Sequence, residues 1–395
     1  MGSGPGRPAP WMRVAVAMLA VGWGANQFSS LLLVYRSTSH LPDTFVSLAF
    51  ATYALGLIPA LLVGAALADR VDRRLPLRLA VVLAGVGTLL LAAGSESSWL
   101  LLAGRFVSGV ASGAALAPGS AWIAELSHHD GPGAGARRST IALSIGFGFG
   151  PLVTGVIAQW APLPELTPYS VHVVLTVIAL LAVWNVPDEP GVTRTRASSR
   201  RAEIRATLLS PAFLRTTPAT APWVFGTAST AFAIAPSILT VPGYGVVVSG
   251  TAAGLTLGAG VAIQPLAKHM ERQRPGLARR TGLVLTAVGL LIAAAAFEVH
   301  VVWLIAPIAI ALGGAYGLLL VSGLRRVEDL AHPDDRAAVN AFFYALTYVG
   351  FAAPLVFSEL TAHQLGPSAL MIGGAVIAAA TSALRQRPAE PEPRA

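Results

Sequence analysis

Apolar and polar positions along this chain fall into long blocks and not into short alternations. Uncharged runs cover 14–35, 44–68, 139–164, 166–187, 216–267 and 337–358, with short charged segments between them. About 20 apolar residues in a helix cross a bilayer, so most of these runs predict one spanning helix each. The run 216–267 is too long for one helix, and the turn signal Val241-Pro242-Gly243-Tyr244-Gly245 divides it into two. The predicted spans are 12–35, 44–68, 78–95, 99–124, 139–160, 168–187, 216–240, 246–267, 281–298, 301–324, 337–358 and 366–384. A closed barrel is excluded, because its strands would alternate apolar and polar residues over about ten positions. The first span is not a cleaved signal peptide: it is too long, contains Asn26 and Gln27, and is followed by further spans.

Composition sharpens this picture. Of the 395 residues 54% are hydrophobic and 12% charged, against roughly 25% charged in soluble domains. So few charges cannot cover a water-facing surface, which excludes a soluble enzyme and a disordered chain. Zero Cys excludes a disulfide scaffold, a thiolate nucleophile and Cys-bound metal. The net charge of +8 would suggest nucleic acid in a soluble protein. Here all of the 27 basic residues except Arg36 and Arg105 lie at alternate span ends. The positive-inside rule then puts both termini in the cytoplasm and the chain, multi-pass, in a cytoplasmic (inner) membrane, with the lipid bilayer and not nucleic acid as its surroundings.

The one long polar stretch, 188–210, has six spans on each side and reads as a cytoplasmic linker on the membrane surface. The expected organisation is a six-helix bundle over 1–187, a linker over 188–215, a second six-helix bundle over 216–384 and a cytoplasmic tail over 385–395. At an offset near 202, Leu55-Gly56 falls on Leu257-Gly258, Asp69-Arg70 on Glu271-Arg272, and Glu125 after span 4 meets Glu328 after span 10. These matches suggest an internal repeat and two pseudo-symmetric halves in an all-α membrane protein.

Three motifs carry a resemblance. The loop between spans 2 and 3 reads Gly64-Ala-Ala-Leu67-Ala68-Asp69-Arg70-Val-Asp72-Arg73-Arg74, with Ala65 and Asp72 where the related pattern has Gly. Span 4 carries Arg105-Phe-Val-Ser108-Gly109, and span 5 carries Gly146-Phe-Gly-Phe-Gly150-Pro151-Leu-Val-Thr154-Gly155. Over essentially its whole length the chain resembles the major facilitator superfamily, and its composition looks that of a high-GC bacterium. The span 5 motif, at Gly146, Gly150, Pro151 and Gly155, is similar to that of drug:proton antiporters. Ser108 replaces a Gln of the proton-coupled pattern, and Thr154 replaces one Gly. The resemblance implies twelve helices in two bundles, alternating access, a small-molecule substrate, protons as the coupling ion, no cofactor and a monomer.

Each motif also has a direct physical reading. Asp69 with Arg70, Arg73 and Arg74 can form a charge cluster with Glu125, latching the inner helix ends in one state and releasing them in another; ordinary interfacial charges would look the same. Gly146, Gly150 and Gly155 permit close helix approach, and Pro151 removes a backbone donor, features that packing alone would also explain. Arg105, several residues into span 4, either reaches outward along its long side chain or faces protein near a proton route, and the inward role is preferred.

Polar and aromatic positions inside spans outline an expected cavity. Span 7 presents Thr216, Thr220, Trp223, Thr227 and Thr230 on one helical face, and span 11 presents Asn340, Tyr344, Thr347 and Tyr348. Asn26, Gln27 and Ser30 in span 1 and Tyr316 in span 10 complete the set, with the ligand expected between the halves near mid-membrane. Interhelical hydrogen bonding is the alternative use of these groups. No carboxylate stands at the centre of a span, so Glu359, at the end of span 11, joins Arg105 as a candidate in proton coupling. There is no phosphate-binding Gly-x-x-x-x-Gly-Lys-Ser/Thr loop, no catalytic constellation, and no metal site beyond His128-His129-Asp130, which reads as loop. The expectation is a transporter and not an enzyme: proton-coupled efflux of small hydrophobic or amphipathic compounds. The alternatives are uptake or facilitated passage of a neutral solute and, third, a membrane sensor.

Overall fold

The computed structural model describes residues 8–37, 41–67, 73–95, 97–131, 133–186, 201–332 and 335–384. It divides into two compact units, Met1–Arg196 and Ala197–Ala395. The first contains α1 (Pro10–Ser37), α2 (Asp43–Leu67), α3 (Arg74–Ala92), α4 (Ser98–Glu125), α5 (Ala134–Trp160) and α6 (Thr167–Trp184). The second begins with two short helices, α7 (Arg201–Leu209) and α8 (Pro211–Leu214). There follow α9 (Thr217–Ser229), a π-helical turn Thr230–Ile234, α10 (Ala235–Ile238), α11 (Gly245–Ala262), α12 (Gln264–Gln273) and α13 (Leu277–Val299). The unit ends with α14 (Ile305–Leu330), α15 (Arg336–Tyr348), a 3-10 turn Val349–Ala352, α16 (Ala353–Ala362) and α17 (Pro367–Ser382).

Ten helical stretches among the described residues are long and apolar enough to cross a membrane, and Pro367–Ser382 is a shorter apolar helix. The remaining predicted span, 216–240, is helical but broken into α9, the π turn and α10. Predicted span 8, over 246–267, continues through α12 to Gln273 with a slight break near Ile263. Helices also run past the predicted charged ends, as α5 begins before Arg137 and α14 continues beyond Arg325 and Arg326. Charges mark where lipid stops, whereas the backbone ladder has no reason to stop there.

The spanning helix α6 turns small and polar residues inward. On α6, Tyr169, His172, Thr176, Ala179 and Val183 are buried, while Val174, Ile178 and Leu181 are exposed. This inverts the soluble pattern, as expected where lipid replaces water and close packing replaces hydrophobic exclusion. The core of the first unit gathers Met18, Leu77, Val81, Trp122, Ile123 and Val183. The second has cores around Leu290, Phe297, Ile308, Leu312 and Met371 and around Phe213, Leu283, Leu319 and Phe343.

The two units repeat one packing scheme. In the first, α2 packs on α4, α1 on α5, α3 on α4 and α3 on α6; in the second, α11 packs on α14, α9 on α15, α13 on α14 and α13 on α17. The closest approach repeats as well. A methyl group at Gly109 or Gly113 would come 2.1 or 2.5 Å from the carbonyls of Tyr53 and Leu57, and one at Gly313 or Gly317 would come 2.2 Å from those of Thr256 and Gly260. Both pairs of glycines are four residues apart, one turn along a helix, so one bare stripe brings two backbones together in each unit.

Candidate functional site

In the first unit, Arg105 from α4 is fully buried. Its Nε donates to the Ala49 carbonyl at 3.3 Å, and its two terminal nitrogens donate to the carbonyls of Ala25 at 3.2 Å and Phe50 at 3.3 Å. The guanidinium carbon lies 4.6 Å from the Tyr53 ring, 4.8 Å from Phe28 and 5.7 Å from Phe50. Backbone dipoles and aromatic faces thus hold the charge, and no ion pair joins it among the described residues. Arg105 thus faces protein and does not reach outward along its side chain.

The span 5 motif meets span 1 directly. Pro151 cannot donate to the Phe147 carbonyl four residues earlier. The Asn26 amide reaches that carbonyl at 3.5 Å, and Ser30 donates to the Pro151 carbonyl at 2.6 Å. A methyl at Gly146 would sit 2.4 Å from the Leu19 carbonyl and one at Gly150 would sit 2.8 Å from Trp23 Cα, so α1 and α5 touch where these glycines stand. Gly155 is buried on the same helix. Gln27 is fully buried and turned toward α3, where it donates to Thr88 Oγ1 at 3.1 Å.

Of the charge cluster, Asp69 and Arg70 lie outside the described residues. Arg73, just before α3, forms an ion pair with Glu125 at the end of α4 and also donates to the Ala121 carbonyl at 3.2 Å. Arg74 begins α3. One pair therefore staples the start of α3 to the end of α4. Asp130 of the His-His-Asp loop pairs with Arg138.

In the second unit Thr220, Thr227 and Thr230 of the threonine face turn their hydroxyls onto their own backbone. Thr220 donates to the Thr216 carbonyl at 2.7 Å, Thr227 to Val224 at 3.0 Å and Thr230 to Gly226 at 2.7 Å. On α15, Thr347 donates to Tyr344 at 2.7 Å. Such back-bonding competes with the helix ladder and bends helices, and the π turn begins at Thr230. Ser229 is the interhelical member, donating to the Gly350 carbonyl at 3.2 Å.

Beside this break stands an aromatic cluster. Phe225 of α9 stacks on Tyr348 at 4.3 Å between centroids, lies 5.6 Å from Tyr316, and meets Phe351 edge-on at 5.3 Å. Tyr344 packs 5.9 Å from Phe343. Trp223 is half-buried against two of the apolar cores of this unit. The Asn340 amide oxygen is buried and has no hydrogen-bond partner among the described residues. Phe225 and Phe351 are not among the positions expected from the sequence, because Phe225 meets Tyr316 and Tyr348 only through the packing of α9 against other helices. Glu359 is exposed on α16, whereas Tyr348 is buried, because Val349–Ala352 changes the helical phase between them. Thr216, Thr220, Arg279, Ser322 and Arg326 line a recess in the same unit.

A family profile described as Major Facilitator Superfamily matches residues 14–352. The chain belongs to that superfamily. It is accordingly an all-α, multi-pass membrane transporter. Among solved structures it is similar to a POT family transporter in complex with a thioalcohol-conjugated peptide. There the TM-score is 0.75 at 13% identity, covering 96% of this chain and 95% of that one. It is also similar to the nucleoside transporter NupG, with a TM-score of 0.70 at 12% identity, covering 95% of this chain and 98% of that one. Identities this low speak for the shared major facilitator fold alone. No curated protein matches the chain by sequence.

Proposed function

We propose that this transporter exports small hydrophobic or amphipathic compounds by alternating access, with protons moving in the opposite direction. The observation that carries the reading is the α1–α5 contact. The Gly146/Gly150/Pro151 motif that resembles drug:proton antiporters is engaged by Asn26 and Ser30 of span 1. Two polar side chains satisfy carbonyls at the proline, one of them freed by it, so helix approach and helix bending are coupled at one place. The rings of Phe225, Tyr316, Tyr344, Tyr348 and Phe351 supply apolar area suited to such compounds, with Trp223 and Asn340 at their side. The Arg73–Glu125 pair acts as the latch, and Arg105 tunes the interior charge. The protein works as a monomer in a cytoplasmic membrane, with both termini inside.

A second reading, passage of a neutral solute without protons, draws on Arg105 being held by carbonyls, with no ion pair to an acid among the described residues. Reconstitution in liposomes with a panel of lipophilic cations and neutral amphipathic compounds separates the two. Export predicts accumulation against a concentration gradient when a pH gradient is imposed. Flux that only equilibrates, equally with and without the pH gradient, supports the solute carrier and overturns export.

A further inference from the structure

We propose that His172 is a proton-binding site of this transporter, loaded and unloaded through Thr88 as the first unit changes conformation. The proposal rests on the proton-coupled reading above and names a group for it.

Of the eight histidines, His172 alone falls within a predicted span. Its side chain is fully buried on the inward face of α6. Nε2 lies 2.9 Å from the Ala20 carbonyl, which can only accept, so Nε2 carries a hydrogen. In the neutral ring Nδ1 is then the acceptor, and the Thr88 hydroxyl, 2.7 Å away, donates to it. Thr88 Oγ1 meanwhile accepts from Gln27 at 3.1 Å.

The protonated ring is equally well provided for. Once Nδ1 holds a hydrogen it donates to Thr88 Oγ1, and the hydroxyl hydrogen turns to the Ala84 carbonyl, already 2.9 Å away. The Gln27 bond survives in both states. Exchange between them needs one hydroxyl rotation and no heavy-atom displacement. A histidine kept only for packing needs partners for one tautomer; this one has partners for two protonation states. Space for the ring is made by Gly24, where a methyl would lie 2.7 Å from His172 Cε1 and 2.9 Å from Nε2.

The neighbouring charges explain why proton binding would follow conformation. On α6 itself the inward titratable group is Tyr169, bonded at 2.8 Å to Tyr35 of α1, and Glu165 precedes the helix near that pair. Arg13 of α1 and Arg78 of α3 cap the far end of α6, at the carbonyls of Ala182, Asn185 and Trp184. The other charged groups on α1, α3 and α5 are Arg36, paired with Asp43, Arg74 at the start of α3, and Arg137 and Arg138 at the start of α5, and the fully buried cation Arg105 of α4 lies near the Tyr35–Tyr169 pair. No carboxylate bonds the imidazole among the described residues. An imidazolium buried here would be unbalanced, and an unpaired buried charge is strongly disfavoured. The cation is therefore favoured only when the unit opens to water, and closing expels the proton. On loading, the Nδ1 lone pair takes a proton from hydronium and leaves water; on unloading, water takes it back. No other reactant is needed.

The test requires no transported compound, so it is readable whether or not export is observed. Uniformly 15N-histidine-labelled protein in lipid nanodiscs is titrated from about pH 8 to 5, the range in which imidazoles change charge. His172→Gln identifies the His172 signal by its loss. The wild type is expected to show the neutral ring protonated at Nε2 at high pH and a growing cation population on acidification. A ring that stays neutral throughout, while the other histidines titrate, overturns the proposal. In parallel, Asn26→Cys on the naturally Cys-free chain reports opening through maleimide labelling, normalised to free cysteine at each pH. Labelling is expected to rise on acidification with His172 present and to be flat with His172→Gln. The same profile in both proteins means that conformation does not follow this proton, which also overturns the proposal.

Discussion

Arg105 meets three carbonyls and three rings with one planar group, and a lysine can copy its charge but not its fork. The three carbonyls keep their partners within α1 and α2, so what a poorer fit leaves uncompensated is the buried cation itself, and a hydrogen bond to a charged group is worth about 1.5–3 kcal/mol. Arg105→Lys is therefore expected to lower stability by about 2 kcal/mol or more despite the conserved charge, and Arg105→Ala by more still. Thermal unfolding of the purified protein checks both, and an unchanged midpoint in Arg105→Lys would show that the charge alone matters. Trp223 tests the ligand surface. Losing one ring from a filled pocket costs on the order of 1–3 kcal/mol, so Trp223→Ala and Tyr344→Ala should weaken binding about 5- to 150-fold. An adaptable exporter loses some ligands far more than others. Unchanged affinity for every ligand in both variants would remove α9 and α15 from the binding surface.

At the scale of elements, the break between α15 and α16 meets α9 at one backbone contact, a few residues before the π turn that ends α9. A methyl at Gly350 would lie 2.2 Å from the Pro222 carbonyl and 2.4 Å from the Gly226 nitrogen, whereas one at Gly373 meets nothing within 4 Å. Overpacking costs about 1–3 kcal/mol. Gly350→Ala should destabilise by that amount and slow transport, while Gly373→Ala, on another helix, should leave both near wild type; equal effects would contradict the contact. The staple between α3 and α4 is tested by Glu125→Gln, and Asp69→Asn extends the test to its sequence neighbour. Both are expected to reduce flux with folding and membrane insertion intact, because a partly exposed pair at helix ends contributes little to stability. Wild-type flux in both variants would make these charges merely interfacial.

For the whole molecule, the arginine distribution sets the expected topology, and the absence of native Cys makes it simple to check. A Cys introduced at Ser198 should resist an impermeant thiol reagent applied to intact cells and react after permeabilisation. Reaction from outside would reverse the orientation. The internal repeat becomes far clearer in three dimensions than in the sequence. Leu257-Gly258 aligns with Leu55-Gly56, yet a methyl at Gly258 meets nothing within 4 Å, while Gly313 and Gly317 make the contacts that Gly109 and Gly113 make. Packing thus selects a different pair of positions from the one that identity suggested.

The chain by itself determined its solvent, its helical class and the number of spans, because hydrophobic length and charge placement act residue by residue along the sequence. It also determined that Arg105 must face protein or reach water, since a charge at that depth has few alternatives. The partners were left to tertiary structure. Nothing in the linear pattern says that Asn26 answers the carbonyl freed by Pro151, that the threonines of α9 bond their own backbone, or that Gln27, Thr88 and His172 form one chain. Span 1 advertised its amides and span 6 its apolar run, but hydrogen bonds link residues 61, 84 and 152 positions apart. A hydrogen bond requires atoms about 3 Å apart in a defined direction, and only the packed helices supply that.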